Sequence, residues 1–282
     1  MAALSVEPLR IANMLPPSFG DSYAVPAAAV ALGFSSEIFP LSAEISFVND
    51  LDRAITGLIY VEAGIRAQSA GYAAVFINSV GDYGIRELRA ALSIPVVGAG
   101  QASFQAAGGL ADQFGVLTVW PKVTGAMYSR LISDYGFAGQ CVGVRHIAEN
   151  EELADMGEEN GLVSEMRDRR TAALDRLERG GHDLLQQGAD VIVLGCTCMS
   201  PVADELSRRL DCPVINPLTT AHKSAEMLLA LGLTHPVAPV SSALHGLLPG
   251  LIGKPTSRLM DVDEALCGDT CSILGSPAAK SS

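Results

Sequence analysis

The sequence predicts an α/β fold made of two pseudo-symmetric parallel-sheet α/β domains, with the active site in the cleft between them. Short runs rich in Val and Ile alternate with longer helical patterns, which is how β/α units around a parallel sheet read. An internal repeat shows the duplication: "GYAAVFINSVGDYGIRELRAALSIPVVGAG" from Gly71 and "GADVIVLGCTCMSPVADELSRRLDCPVINP" from Gly188 both run glycine, buried strand, polar loop, helix, short strand. A second pair keeps the same order, since "RIANMLPPS" from Arg10 and "GVLTVWPKV" from Gly115 each lead a strand into proline, at Pro16 and Pro121.

The apolar runs place strands at Arg10 to Leu15, Ala73 to Val80, Pro95 to Gly98, Gly115 to Trp120, Cys141 to His146, Val191 to Cys196 and Pro213 to Asn216, with a weaker one at Glu37 to Leu41. Helical periodicity covers Asp50 to Ser69, Gly84 to Leu92, Thr124 to Tyr135, Glu165 to Gln187, Pro201 to Leu210 and Thr220 to Leu231. The expected organisation is a first domain over 1–111 completed by 218–234, a second over 112–217, and an irregular tail over 235–282 in which Leu244 to Ile252 could cover the cleft or a subunit interface.

Composition narrows the function classes. With 31 Asp and Glu against 19 Lys and Arg, a net charge of -12 and no basic run longer than two residues, nothing is available to neutralise a row of phosphates, so no nucleic-acid partner is expected. Pro236 to Gly253 lacks Asp, Glu, Lys and Arg, but its prolines, its glycines and His245 spoil it as a membrane span. Glu7 and Arg10 fall where a secretory signal needs apolar residues, so the expected location is cytoplasmic. The 6 cysteines in 282 residues are too sparse for a disulfide framework, so a special cysteine here is expected to be reactive rather than structural.

In folds of this kind ligands bind beyond the C-terminal ends of the strands. The residues after the two equivalent strands are Ser79 and Cys196, which would face each other across a ligand. Ser200 suits a helix N-cap and Pro201 a first helical position, so a helix should start just beyond Cys196. Unpaired amides and partial positive charge there favour a thiolate over the free thiol, whose pKa is about 8.5. Cys196 is therefore a candidate base or nucleophile, although a small cysteine closing a buried strand is the simpler alternative.

At these residues "VIVLGCTCMSP", with "VFINSVGDYG" and "IPVVGAG", resembles the aspartate/glutamate/hydantoin racemase superfamily over roughly Leu9 to Leu231. The resemblance implies two pseudo-symmetric α/β domains with one cysteine on each side of the cleft, one removing a proton from Cα and the other returning one to the opposite face, with neither metal nor organic cofactor. Ser79 occupies the place of the first family cysteine, and a serine hydroxyl has no pKa near working pH. Three one-thiol reactions follow: racemisation of a substrate with an acidic Cα, such as a hydantoin, with Ser79 or water on the second face; cis-trans isomerisation by thiolate addition, as in maleate isomerases; or decarboxylation of a malonate-type acid.

The loops divide these branches. "Met14-Leu15-Pro16-Pro17" is similar to the double-proline loop of arylmalonate decarboxylases, but Val80, Gly81 and Trp120 stand where those enzymes carry carboxylate-holding hydroxyls. "Gly81-Asp82-Tyr83-Gly84" looks more like the hydantoin and amino-acid racemase loop, so an isomerase is the leading expectation and a lyase the runner-up. The substrate would be a small molecule with a carboxylate or cyclic amide, bound by loop amides at Val80, Gly81, Thr197 and Cys198, with the Thr124 and Ser18 hydroxyls as further candidates. A binding protein that kept the cleft and lost its chemistry is the rival from another class. A hydrolase with an acyl intermediate is weaker, for want of a Ser-His-Asp ordering.

Other signals carry less. Gly98-Ala99-Gly100 could open a dinucleotide fingerprint, but Ser103 replaces its third glycine. Cys196, Cys198 and Cys212, or Cys267 and Cys271, lack a CxxC pair and a histidine at ligand spacing, so no metal is expected. His222 could approach Cys196, His146 and His182 read as structural, and the acidic stretch Glu149 to Glu159 reads as a solvated linker or helix face, with a cation site as a minor alternative. A symmetric dimer is the default assembly.

Overall fold

The computed structural model describes residues 7–43, 49–159 and 161–236; Leu244 to Ile252, Cys267 and Cys271 lie outside the described residues. Two four-stranded sheets, parallel in every pairing, hold the chain together. The first is ordered β2-β1-β3-β4, with β1 Leu9–Leu15, β2 Phe34–Pro40, β3 Ala74–Ile77 and β4 Val96–Gly98. The second is ordered β6-β5-β7-β8, with β5 Phe114–Thr118, β6 Cys141–His146, β7 Val191–Leu194 and β8 Val214–Ile215. The order repeats position for position. The strands paired in the sequence repeat, β3 with β7 and β1 with β5, accordingly hold equivalent places.

Eight α-helices complete the described residues: α1 Asp50–Ser69, α2 Ile85–Ala91, α3 Ala99–Leu110, α4 Gly125–Asp134, α5 Leu162–Arg167, α6 Thr171–Gln186, α7 Ala203–Leu210 and α8 Pro217–Ala230. The start of α1 is set by a capping box, in which the Asn49 side chain accepts from the Leu51 and Asp52 amides at 2.9 and 3.0 Å and Asp52 accepts from the Asn49 amide at 3.3 Å. On one face of the first sheet, Ala12, Met14, Val75 and Ile77 pack with Ile59, Tyr60 and Leu88 of α1 and α2. On the other face, Ile11, Ala74 and Phe76 pack with Ala99 and Ala102 of α3 and with Leu218, Ala221 and Ala225 of α8.

Two expectations need correction. The helix read as continuous from Glu165 to Gln187 is broken, because Arg169 takes a left-handed φ of 55° and the Arg170 amide folds back to the Glu165 carbonyl at 2.8 Å. A charged Arg167 to Arg170 segment hides such a break, since periodicity reports burial and not φ. The second correction concerns Gly98-Ala99-Gly100, which opens α3, a helix absent from the sequence reading. Asp82 caps it, accepting from the Gly100 and Gln101 amides at 2.9 and 2.7 Å. A Cβ on Gly98 would lie 2.5 Å from the Asp82 carboxyl, so its glycine makes room for a side chain and not for a dinucleotide phosphate.

Residues Phe104 and Ala107 of α3 enter a second core with Phe114, Val116, Val191 and Val193 of the second sheet, and Val80 joins them from the first-half loop. One helix thus serves both cores. The acidic stretch forms a 3₁₀ turn at Asn150–Asp155 held by Arg176, which donates to both Glu152 carboxylate oxygens at 2.9 and 2.8 Å. Among the described residues no group of three or more His, Cys, Asp or Glu is arranged to hold a metal ion, and no helix is long and apolar enough to cross a membrane.

Candidate active site

Strands β3 and β7, buried throughout, end in short polar loops on corresponding edges of the two sheets. Ser79 and Cys196 follow them, each half-buried between buried neighbours. The Thr197 hydroxyl, beside Cys196, donates to the carbonyl of Asn78, beside Ser79, at 3.2 Å. This buried bond joins the two candidate loops directly.

On the second-half side, Cys196 is the N-cap of a 3₁₀ turn at Thr197–Val202, with its Sγ accepting from the Cys198 amide at 3.1 Å. The turn is tied to the start of α8, because the Ser200 hydroxyl meets Asn216 Oδ1 at 2.8 Å and the same oxygen accepts from the Leu218 amide at 3.1 Å. Gly195 allows the strand to pass Thr118 closely, and a Cβ there would fall 2.6 Å from the Thr118 Cβ. Behind it the buried Tyr128 hydroxyl donates to the Gly195 carbonyl at 2.9 Å and meets Thr118 Oγ1 at 2.6 Å. Burial holds this phenol's pKa well above its ordinary value, so it stays a donor at all working pH values. Tyr128→Phe leaves a buried carbonyl and a buried hydroxyl without their partner, and thermal melts should show a loss of about 1–3 kcal/mol.

The sulfurs of Cys196 and Cys198 are bonded to each other, while Cys141 and Cys212 are free. A link across one intervening residue closes a local loop and is no framework, and with it closed Cys196 carries no ionisable thiol.

On the first-half side, the Ser79 hydroxyl accepts from the Gly81 amide at 3.2 Å and helps to set the Tyr83 phenol's acidity. Tyr83 is buried, and its hydroxyl also reaches the sulfur of Met127 in the second half at 3.5 Å. Burial raises its pKa, so it too keeps its proton. The Val80 side chain is committed to the core, and the Thr124 hydroxyl donates to the Pro121 carbonyl at 2.8 Å, as a loop cap would. His222 is turned to Glu226 Oε1 at 2.9 Å and packs edge-on to Phe76, and burial pushes its pKa down.

Sequence reasoning misses Asp82 except as a member of its loop. Its carboxyl, 3% exposed, accepts from Gly100, Gln101 and the Tyr135 hydroxyl, the last at 2.8 Å, with Arg89 the nearest charge of opposite sign. Burial outweighs these partners and pushes its pKa up to about 6. The Gly100 and Gln101 amides can only donate, so a proton bound to the carboxyl weakens what they receive and the clamp on the loop from Ser79 to Gly84 loosens. Activity should fall as pH falls through about 6, and Asp82→Asn should flatten that limb of the pH profile. Stability runs the other way. The folded chain holds this proton more tightly than an unfolded carboxyl of pKa 3.8, so about 3 kcal/mol present below pH 4 is lost as pH rises to about 6, as melts against the Asn variant should show.

A cavity of about 310 Å³ opens between the halves beside this site, with Tyr83, Thr124 and Met127 on its walls, and another of about 220 Å³ lies in the second half by Glu152 and Asp155.

Two parallel sheets related by internal symmetry, with candidate groups at equivalent strand ends, define a two-domain α/β fold of the racemase kind. Residues 25–225 match the Asp/Glu/Hydantoin racemase family, and the chain belongs to it. It is 32% identical over 167 residues to a hydantoin racemase of Rhizobium meliloti, covering 59% of this chain and 64% of the relative, and 29% identical over 168 residues to a hydantoin racemase of Pseudomonas sp. (strain NS671), covering 59% and 62%. Each match spans less than two thirds of the relative. Among solved structures, the allantoin racemase from Klebsiella pneumoniae superposes with a TM-score of 0.70 at 25% identity, over 86% of this chain and 99% of that one.

Proposed function

We propose that this protein is a cofactor-independent racemase of a hydantoin-like cyclic ureide, in which Cys196 as a reduced thiolate exchanges the proton on one face of Cα and Ser79, or water held by it, serves the other. The hydrogen bond from Thr197 to Asn78 carries the reading, because it sets the loops of Cys196 and Ser79 against each other. The family match and the racemases among the relatives support the reaction class. The chemistry asks little of the second group. A ring carbonyl and a ring nitrogen acidify Cα, the thiolate takes its proton, and the planar carbanion then takes the proton of a hydroxyl on the opposite face.

In this reading the Cys198 amide, aimed at Cys196 Sγ, favours the thiolate, and the Gly81 amide holds the Ser79 oxygen. We assign stabilisation of the enolate oxygen to the amides of Val80 and Thr197, and closure of the rim to Thr124. The domain boundary at 111/112, the return of 218–234 to the first domain, the cytoplasmic location and a symmetric dimer belong to the same proposal.

The test is proton NMR in deuterium oxide with optically pure 5-substituted hydantoins, alongside polarimetry. One thiol and one hydroxyl are unequal bases, so solvent exchange at Cα should outrun inversion. Ser79→Cys supplies the second thiol and should raise inversion by about tenfold or more. No exchange with any cyclic ureide, alongside conversion of maleate or of a disubstituted malonate, would move the assignment to the isomerase or decarboxylase branch.

A further inference from the structure

The cavity between the halves contains a charged group that the proposed proton transfer does not use. Arg53 of α1 lines it, half-buried, and makes no ion pair or side-chain hydrogen bond among the described residues. Arg130 of α4 lines it from the other half and is paired with Asp50, Nη2 to Oδ1 at 2.9 Å. The Asp50 side chain is 80% exposed, so that pair is weak and Arg130 remains open to a better-shielded anion. In a chain of net charge -12, this pocket wall carries one more positive than negative charge. Tyr83 connects it to the chemistry, since it lines the wall and its phenol is influenced by the Ser79 hydroxyl.

A guanidinium on a cavity wall with no ion pair among the described residues is open to a carboxylate, which can take two of its N–H groups at once. The volume of about 310 Å³ is at the lower end for a ligand pocket and suits a side arm better than a whole ligand. The geometry points to an anion subsite in which Arg53, assisted by Arg130, takes a carboxylate on the substrate's side arm while the reacting ring lies beyond Tyr83, between Ser79 and Cys196. This rests on the racemase reading and adds a substrate class: cyclic ureides with a carboxyalkyl substituent, in preference to those with neutral alkyl or aryl substituents.

The experiment compares 5-(2-carboxyethyl)hydantoin with its neutral carboxamide counterpart, by racemisation kinetics on the wild type and by calorimetric binding to a Cys196→Ala background. The wild type should favour the carboxylate in kcat/KM by about tenfold or more. Arg53→Gln should bring that ratio close to one, mainly through a higher KM for the anion, and Arg130→Gln should lower it by a smaller factor. Arg53→Lys, which keeps the charge without the fork, should restore part of the ratio. Equal kcat/KM for both compounds in the wild type, or a ratio that survives Arg53→Gln, overturns the subsite while racemisation itself upholds the parent reading. Arg53-dependent binding of the carboxylate with no racemisation of either compound upholds the subsite and removes the racemase reading.

Discussion

Cys196→Ala is expected to lower the turnover of a cyclic ureide by about 10³-fold or more, the upper range for loss of a positioned proton-transfer group. The fold should survive it. Cys196 is half-buried at the end of a strand, the truncation leaves the Thr197 to Asn78 bond in place, and what is lost is the link to the Cys198 sulfur, which closes only a local loop, and the contact accepted from the Cys198 amide. Polarimetry gives the rate and a thermal melt the fold, and undiminished turnover in a folded variant would take Cys196 out of the chemistry. Cys196→Ser adds a distinction, because its oxygen can accept from the Cys198 amide but cannot ionise near neutral pH. If it is as inactive as the alanine variant, acidity and not hydrogen bonding is what the position supplies.

The second large effect concerns oxidation. With the sulfurs of Cys196 and Cys198 bonded, no thiolate exists at the site, so protein prepared in that state should turn over at background. Two thiols give up two hydrogens to an oxidant such as hydrogen peroxide or a small disulfide, and a dithiol reductant restores both S–H groups as it becomes a disulfide. Mass spectrometry of the peptide containing both cysteines should show it lighter by two hydrogens before reduction, and activity should return as that species disappears. Full activity in the bonded state would mean that Cys196 is not the acting group. Cys198→Ser cannot form the bond, and its activity should not depend on the reductant.

Much of this arrangement is legible in the sequence because the duplication is. Matching "AVFINS" with "VIVLGC" places Ser79 and Cys196 at equivalent strand ends from residue order alone, and the two sheets do repeat one strand order. Legibility fails where a residue's role depends on contacts distant in sequence. The glycines of "VVGAGQ" read as a loop or a phosphate cradle, because nothing local reveals that Asp82, sixteen and eighteen positions earlier, needs their space and their amides. Tyr128 is invisible as a support of Gly195 for the same reason, since 67 residues separate them. The bond between Cys196 and Cys198 is likewise not read from the sequence, where six scattered cysteines argue only against a disulfide framework. The carboxyalkyl subsite depends on Arg53 and Arg130, which come from helices of different halves.

Helix α3 bears on how substrate reaches the cleft. Its one face is built into the first sheet's core through Ala99 and Ala102, and its other into the second through Phe104 and Ala107. Two bodies that share a rigid strut cannot swing apart on a flexible connector without tearing one hydrophobic interior open. Hinge-like parting of the halves would therefore cost α3 its packing against one of the two cores. A fragment ending near residue 111 would carry that strut with half its greasy surface facing water, so the duplicated sequence encodes two copies of a pattern but a single cooperative unit.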